Sequence, residues 1–309
     1  MIPDTEELSS PSLVADPTHL SSLGLEGPGL PVLYPEGPWL AQGRATDPCL
    51  VTGVEPGQGE LGLGLVKSAH HFLPATSLLV FDLGLAKYDR DRLEKHCNST
   101  TCSLHTFDFA PWPSHLRALH LRAYRPLIIQ TVLRDVGSVV WLDPDHRLTT
   151  SNLSQWLEAA RIEGVVVWQQ GEATATTALT HPRMFEFFPG VKYEEYAFQH
   201  MASASVVVLV YTQATHSKLM LPWLRCALTE SCINPIGAQD SGCRFDKKPQ
   251  YRYSGCHRYD VSALNLVLGS MFHFSEDRYM RRSGDSFFRR VTQAAAAASD
   301  NTTQSHTDP

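Results

Sequence analysis

The chain has 309 residues and a formal net charge of −6, with 43% hydrophobic and 19% charged residues. This length is enough to bury a sizeable core, and it fits one large α/β domain. The acidic balance, without any run of interleaved basic and aromatic residues, argues against nucleic acid as a partner.

The two ends of the chain differ in composition from its middle. Residues 1–48 contain eight of the chain's 20 prolines, and they carry seven acidic residues against one arginine. Such a segment is typical of a stem or linker. We therefore expect a disordered stem over residues 1–46, a folded domain over 47–292 and a disordered tail over 293–309. A basic helix end is predicted around Arg289 and Arg290, just before the tail.

Apolar runs in the middle of the chain alternate with segments of helical period. The predicted strands cover residues 49–54, 77–84, 104–109, 138–142, 164–168 and 204–211. One predicted helix ends at residue 71, and the others cover residues 88–95, 119–133, 215–229 and 260–268. Strands that alternate with helices predict an α/β fold with a mostly parallel sheet flanked by helices.

Asp143 and Asp145 follow directly after the apolar strand that ends at Leu142. Open α/β sheets bind their ligands at the carboxyl ends of strands, so both carboxylates are expected at that edge. Two carboxylates in an Asp-x-Asp pattern suit Mn²⁺ or Mg²⁺, which would offset the charge of a departing diphosphate. Acidic pairs also occur in ordinary turns, and the pattern alone does not exclude that alternative.

Seven cysteines and three N-glycosylation sequons, at Asn98, Asn152 and Asn301, indicate a secretory compartment. Cys97 and Cys102 flank a short turn. A second cluster contains Cys226, Cys232, Cys243 and Cys256, which allow three disulfide pairings. Buried free thiols in a cytosolic protein, or a zinc site, are the alternatives.

Cys49 is the odd thiol, expected at the buried start of the first strand. No apolar stretch is long enough to span a bilayer, and no export signal follows Met1. A secretory lumen is therefore the expected location, while a cytoplasmic location remains open.

Four segments occur in an order that resembles glycosyltransferases of the GT-A fold. They are Leu50-Val-Thr-Gly53, Leu79-Val-Phe-Asp-Leu-Gly-Leu85, Tyr124-Arg-Pro-Leu-Ile-Ile129 and Val140-Trp-Leu-Asp-Pro-Asp145. The resemblance spans residues 47–275 and extends especially to little-characterised animal members grouped as domains of unknown function. It implies a GT-A-like fold, with a Rossmann-like nucleotide-binding half and an acceptor-side region.

The resemblance implies roles for several residues. It assigns Thr52 and Gly53 to the nucleotide loop, and Asp143 and Asp145 to metal and nucleotide-sugar binding. It also implies that His273 is a third metal ligand, with a purely structural histidine as the alternative.

Asp260 opens the predicted helix over residues 260–268 and, by the same resemblance, contacts the acceptor or acts as the catalytic carboxylate. An Asp at this place could instead only cap the helix. Asp82 corresponds to an Asp-Leu-Gly-Leu motif, in which the Asp is structural. Arg125 stands where related sequences commonly carry Lys.

The resemblance therefore implies a metal-dependent glycosyltransferase. It would move a sugar from a nucleotide donor, with UDP as the expected nucleotide, to a carbohydrate or glycoprotein acceptor in the Golgi lumen. A non-catalytic relative that binds or scaffolds in the secretory pathway is the main alternative, and a nucleotidyltransferase is a further one.

Overall fold

Eight strands of the described residues form one mixed sheet. This computed structural model describes residue 13 and residues 15–25, 48–171, 173–246, 248–282 and 284–293. In chain order, the strands are β1 (Cys49–Val54), β2 (Leu78–Asp82), β3 (Asn98–Ser99), β4 (Cys102–Thr106), β5 (Ser138–Leu142), β6 (His146–Leu148), β7 (Val165–Gln169), β8 (Ala202–Val210), β9 (Met280–Arg281) and β10 (Phe288–Arg290). The large sheet has the spatial order β3-β4-β2-β1-β5-β8-β7-β9, and β10 pairs with β6 beside it.

The centre of the sheet is parallel. Strands β4, β2, β1 and β5 run in one direction, and β8 runs antiparallel to both β5 and β7. Every residue of β1 is buried, as expected for a parallel strand that is covered on both faces. The predicted α/β class with a mostly parallel sheet is confirmed.

Helices cover both faces of this sheet. They are α1 (Pro17–Ser22), α2 (Gly59–Phe72), α3 (Lys87–His96), α4 (Tyr124–Val136), α5 (Ser154–Glu163), α6 (Pro182–Phe185), α7 (Leu221–Leu228), α8 (Glu230–Ile233), α9 (Asp260–Phe272) and α10 (Glu276–Tyr279). One apolar cluster packs α4, α7 and α9 against the sheet, and a second packs α2 and α5. Strand residues alternate between the two clusters, so that Leu50 faces one and Val51 faces the other.

Several predicted elements have different bounds. Arg122 has a left-handed φ of 51°, and this turn delays the start of α4 to Tyr124 instead of residue 119. The helix expected over 215–229 begins with a π-helical turn at Thr215–Met220. The expected basic helix end around Arg289 and Arg290 is corrected, because both residues belong to β10, which pairs antiparallel with β6.

Residues 15–25 correct the expectation of a disordered stem. Asp16 caps α1, since its Oδ1 accepts a hydrogen bond from the Thr18 N–H at 2.8 Å. Pro17 stands at the start of the helix, where its missing N–H costs nothing. The segment therefore forms a well-capped helical turn despite its proline-rich composition.

This segment also packs onto the domain. Leu20 and Leu23 are buried in the apolar cluster that contains α4. Gln130 Nε2 donates to the Leu23 carbonyl at 3.0 Å, and Arg134 Nη1 donates to the Ser22 carbonyl at 2.7 Å. Burial of each leucine stabilises the fold by roughly 1.5–3 kcal/mol. Apart from residue 13, the other residues of the predicted stem lie outside the described residues, as do those of the predicted tail beyond residue 293.

The disulfide prediction is confirmed, and the open pairings are resolved. The bonds join Cys97 to Cys102, Cys226 to Cys232, and Cys243 to Cys256. Cys49 is a buried free thiol, and burial raises its pKa to about 12. Among the described helices, none is both long and apolar enough to cross a membrane.

Candidate functional site

A cleft of about 670 Å³ lies where β5 and β7 end and β8 begins. Five arginines line it, namely Arg122, Arg125, Arg258, Arg289 and Arg290. The acidic side chains in the described lining are Asp240 and Asp260. The cleft is thus locally cationic, although the whole chain carries a net charge of −6. A concave surface with an excess of positive charge attracts anionic ligands.

Arg125 is the central residue of the cleft wall. Its side chain is only 1% exposed. Its Nη1 donates to Oδ2 of Asp260, and its Nη2 donates to both carboxylate oxygens of Asp143 at 3.1 Å. The guanidinium carbon also lies 5.8 Å from the ring centroid of Trp141. One buried cation therefore links the end of β5 to the start of α9.

The Asp143 carboxylate is saturated with donors. In addition to the Arg125 contacts, Arg122 Nη1 donates to Oδ2 at 2.7 Å and Trp141 Nε1 donates to Oδ1 at 2.9 Å. Each oxygen thus accepts two hydrogen bonds, which uses its ordinary capacity. Burial opposes the charge of Asp143, but Arg125 and Arg122 outweigh it and lower the pKa.

Asp145 contacts strand β10 and the residue that follows it. Arg290 Nε donates to Asp145 Oδ2 at 2.6 Å, and the Val291 N–H donates to the Asp145 carbonyl at 2.8 Å. His146 Nδ1 lies 2.8 Å from Asp145 Oδ1. Burial works to raise the pKa of Asp145, but His146 and Arg290 lower it well below its usual value. Asp145 is therefore an ion-pair partner of β10.

The Asp-x-Asp residues do not fit a divalent metal in this arrangement. Guanidinium groups of Arg122 and Arg125 already occupy the lone pairs of Asp143, and Arg290 occupies one oxygen of Asp145. A divalent ion would add two positive charges between these cations and would displace their hydrogen bonds. Within the described ranges, no group of three or more His, Cys, Asp or Glu side chains is placed to hold a metal ion.

His273 lies far from the Asp-x-Asp residues. It is exposed, it caps the C-terminal end of α9, and its φ is 49°. Asp260 stands at the other end of the same helix, about 20 Å away at the usual rise per residue. Because α9 continues to Phe272, the structure does not bring His273 together with Asp143 or Asp145.

Thr52 and Gly53 lie inside β1 and not in a loop, close to the carboxyl end of that strand, and their role in nucleotide binding stays a prediction. Thr52 is fully buried, and its Oγ1 has no hydrogen-bond partner among the described residues. A Cβ added at Gly53 would lie 3.1 Å from Leu83 and 3.2 Å from Trp141. Gly53 therefore makes room for the indole that donates to Asp143.

Asp260 is buried in the cleft wall at the first residue of α9. Its carboxylate binds Arg125 and makes no capping hydrogen bond to its own helix. The preceding residue, Tyr259, has a φ of 46°, which is uncommon outside glycine and concentrates at functional sites. Burial raises the pKa of Asp260 to about 6, against the opposing effect of Arg125.

The hydrogen-bond donors of this network are divided unequally between the carboxylates of Asp143 and Asp260. Asp143 accepts from Arg122, Arg125 and Trp141, whereas the Asp260 carboxylate accepts from Arg125 alone among the described residues. Asp143 therefore stays ionised, and Asp260 is the carboxyl of the pair whose pKa is raised, to about 6.

The sequence patterns assigned no role in the site to the arginines of the cleft. Arg289 and Arg290 stood out as basic residues, but no spacing connected them with Asp145. The structural role expected of Asp82 agrees with its contacts, because its Oδ1 accepts from the backbone N–H groups of Gly84 at 2.8 Å and Leu85 at 2.7 Å.

No protein-family model matches the chain, and no curated protein matches it. Among solved structures, it is similar to the galactosyltransferase LgtC in complex with donor and acceptor sugar analogues, with 14% identity, a TM-score of 0.34, and coverage of 52% of this chain and 57% of that one. It is also similar to the apo form of WbbM, a bifunctional glycosyltransferase, with 13% identity, a TM-score of 0.43, and coverage of 72% and 37% respectively. The chain spans less than two thirds of the length of either protein. The predicted resemblance to animal members stays a prediction.

Proposed function

We propose that the chain is a glycosyltransferase that moves a sugar from a nucleotide donor, with UDP as the expected nucleotide, to a carbohydrate or glycoprotein acceptor. The observation that carries this proposal is the arginine-lined cleft at the end of β5, with the carboxylate of Asp260 in its wall. Guanidinium groups match phosphate oxygens in a two-pronged geometry. Fixed positive charge would also stabilise the diphosphate that leaves the sugar.

Asp260 is the candidate general base of this reaction. Its pKa, raised by burial to about 6, makes it a stronger proton acceptor than an ordinary Asp while leaving it ionised at neutral pH. It would take the proton from the acceptor hydroxyl as the new glycosidic bond forms. The proposal assigns no step to Mn²⁺ or Mg²⁺, because Asp143 and Asp145 are already paired with arginines.

The proposed compartment is the secretory lumen, in particular the Golgi. Three disulfides support an oxidising compartment. The sequon residues Asn98 and Asn152 are exposed, so both are sterically open to a glycan. Protein from animal cells should show a mobility shift after glycan removal, and non-reducing peptide maps should contain the three bonds. Fully alkylatable cysteines without a glycan shift would contradict this location.

A donor screen tests the reaction itself. The purified chain is incubated with a panel of nucleotide sugars and a mixture of glycan acceptors, and free nucleoside diphosphate is measured. We expect acceptor-dependent release from a UDP-sugar, which Asp260→Asn should reduce. If no nucleotide sugar is consumed with any acceptor, the transferase proposal fails.

A non-catalytic binding domain of the secretory pathway is the second candidate function. It is favoured by one observation, that Arg125 already forms ion pairs with both Asp143 and Asp260. Such a domain would bind a nucleotide sugar or glycan without turnover. Saturable binding together with no product after long incubation with acceptors would support this candidate over the transferase.

A further inference from the structure

The strand β10 brings two arginines to the edge of the cleft. Its register with β6 places Arg290 opposite His146 and Arg289 opposite Arg147. The segment just before β10, residues 285–287, is fixed at both of its ends. Trp168 Nε1 donates to the Asp285 carbonyl at 2.6 Å, and the Thr149 N–H donates to the Phe287 carbonyl at 2.9 Å. The backbone that carries these arginines is therefore anchored before any ligand arrives.

Two of the cleft arginines have charges that no carboxylate of the described residues neutralises. Arg289 is exposed and makes no ion pair within those residues. Arg258 donates from Nη1 to the Asp240 carbonyl at 2.9 Å, and its Nη2 lies 3.8 Å from Cys243 Sγ, so it contacts only neutral acceptors. Arg258 Nε is buried without a hydrogen-bond partner among the described residues.

The surroundings of Arg289 add to the excess of positive charge. Burial and the nearby guanidinium of Arg289 lower the pKa of Arg147 to about 10. A bound anion would relieve this repulsion and would supply acceptors to Arg258 and Arg289 at the same time. Asp145, by contrast, competes with any such anion, because it holds Arg290.

We propose that the cleft binds the diphosphate of its nucleotide ligand without a metal, through the guanidinium groups of Arg258 and Arg289, with Arg290 joining when it leaves Asp145. This inference rests on the proposed function and specifies how the donor is held. Cations of the chain itself take the place that a divalent ion would fill. The recognised chemistry is two linked phosphates, each able to accept from a planar guanidinium fork.

Phosphate groups of a nucleotide and sulfate groups of an acidic glycan could both satisfy these arginines, so the test must separate them. Titration calorimetry is performed on the whole chain with UDP, with inorganic pyrophosphate and with a sulfated oligosaccharide. Each titration is run in EDTA and again in Mn²⁺. We expect UDP and pyrophosphate to bind in EDTA, to compete with each other, and to bind no more tightly in Mn²⁺.

Alanine variants test which arginines bind the diphosphate. Arg289→Ala and Arg258→Ala should each weaken UDP binding by about 10- to 100-fold, the usual effect of losing a hydrogen bond to a charged group. Arg183→Ala is the matched control, since Arg183 is exposed and does not line the cleft. Melting temperatures are measured for all three. If Arg258→Ala unfolds, the exposed Arg289 decides the question alone.

Asp145→Asn distinguishes binding of the diphosphate by arginines from binding through a metal ion on Asp145, because the two predict opposite results. If arginines hold the diphosphate, the substitution frees Arg290, and UDP binds in EDTA as well as or more tightly than to the unmodified chain. If Asp145 held a metal, the same substitution would abolish binding.

The possible outcomes are distinguishable. UDP binding that requires Mn²⁺ overturns the inference and leaves the proposed transferase intact. UDP binding in EDTA that Arg289→Ala leaves unchanged also overturns the inference. If the sulfated oligosaccharide binds and UDP does not, both the inference and the donor assignment are overturned. The same holds if UDP binds neither in EDTA nor in Mn²⁺.

Discussion

Arg125 donates a hydrogen bond from Nη1 to Oδ2 of Asp260, although 135 positions of the chain separate the two residues. Their side chains are 1% and 2% exposed. Because the same guanidinium also holds Asp143, helices α4 and α9 are fixed to the end of β5 at one point. A buried charge is costly unless it is paired, so the carboxylates of Asp143 and Asp260 both depend on Arg125, and Arg125 depends on them.

Arg125→Ala should strongly destabilise the protein. The substitution leaves two carboxylates, those of Asp143 and Asp260, without their shared buried cation, and breaking such a pair costs about 3–5 kcal/mol. Urea denaturation measures the free energy of unfolding. Arg161→Ala is the control, since its ion pair with Glu158 is solvent-exposed and should contribute less than about 1 kcal/mol. Equal effects of the two substitutions would contradict the importance of the buried network.

Asp260→Asn should reduce sugar transfer by about 10²- to 10⁴-fold, the usual contribution of a general base. Because burial raises the pKa of Asp260 to about 6, the wild-type rate should rise as the pH increases through that value and the carboxyl loses its proton. The variant should lack this rise while its UDP affinity stays close to that of the wild type. Full activity in the variant would remove Asp260 from the reaction.

His257 should make the protein sensitive to acid. Burial lowers its pKa to about 3, and its Nδ1 accepts from the His181 N–H at 3.1 Å. The unfolded chain binds this proton at about pH 6.5, so the unfolded state gains protons first as the pH falls. The stability that His257 contributes is therefore complete above about pH 6.5 and is lost progressively toward pH 3.

The comparison of wild type with His257→Gln isolates this effect from other titrating groups. The difference in unfolding free energy should shrink between pH 7 and pH 4, because only the wild type must keep a histidine neutral. A difference that stays constant over this range would show that His257 is not the acid-sensitive group.

The Cys243–Cys256 disulfide should stabilise both the fold and the cleft. The two cysteines are 13 residues apart, and closing such a loop contributes about 3 kcal/mol in the chain-entropy model. Replacing both by Ser should also weaken UDP binding, because the bond fixes the chain just after Asp240 and just before Arg258, and the Asp240 carbonyl accepts a hydrogen bond from Arg258. Replacing Cys97 and Cys102 by Ser is the control, which should cost about 2 kcal/mol and leave the affinity unchanged. Equal affinities in the two variants would contradict a role for this loop.

Local patterns predicted the sheet, because apolar runs such as Val139–Leu142 specify a buried strand by themselves. They also located Asp143 and Asp145 at the end of that strand. The partners of these carboxylates could not be predicted, since Arg290 lies 145 positions from Asp145 and no spacing rule covers such a separation. Likewise, the burial of Leu20 depends on α4, which a proline-rich composition does not reveal.

The position of β10 in the chain affects the order in which the protein can assemble. During synthesis, the strands from β1 to β8 leave the ribosome before β10, and N-terminal parts generally fold first. The nascent sheet can therefore form while Asp145 still lacks Arg290 and the cleft lacks Arg289. The cleft acquires its full positive charge only when residues 285–291 dock against β6 and β7, so ligand binding by these arginines reports a completely folded domain.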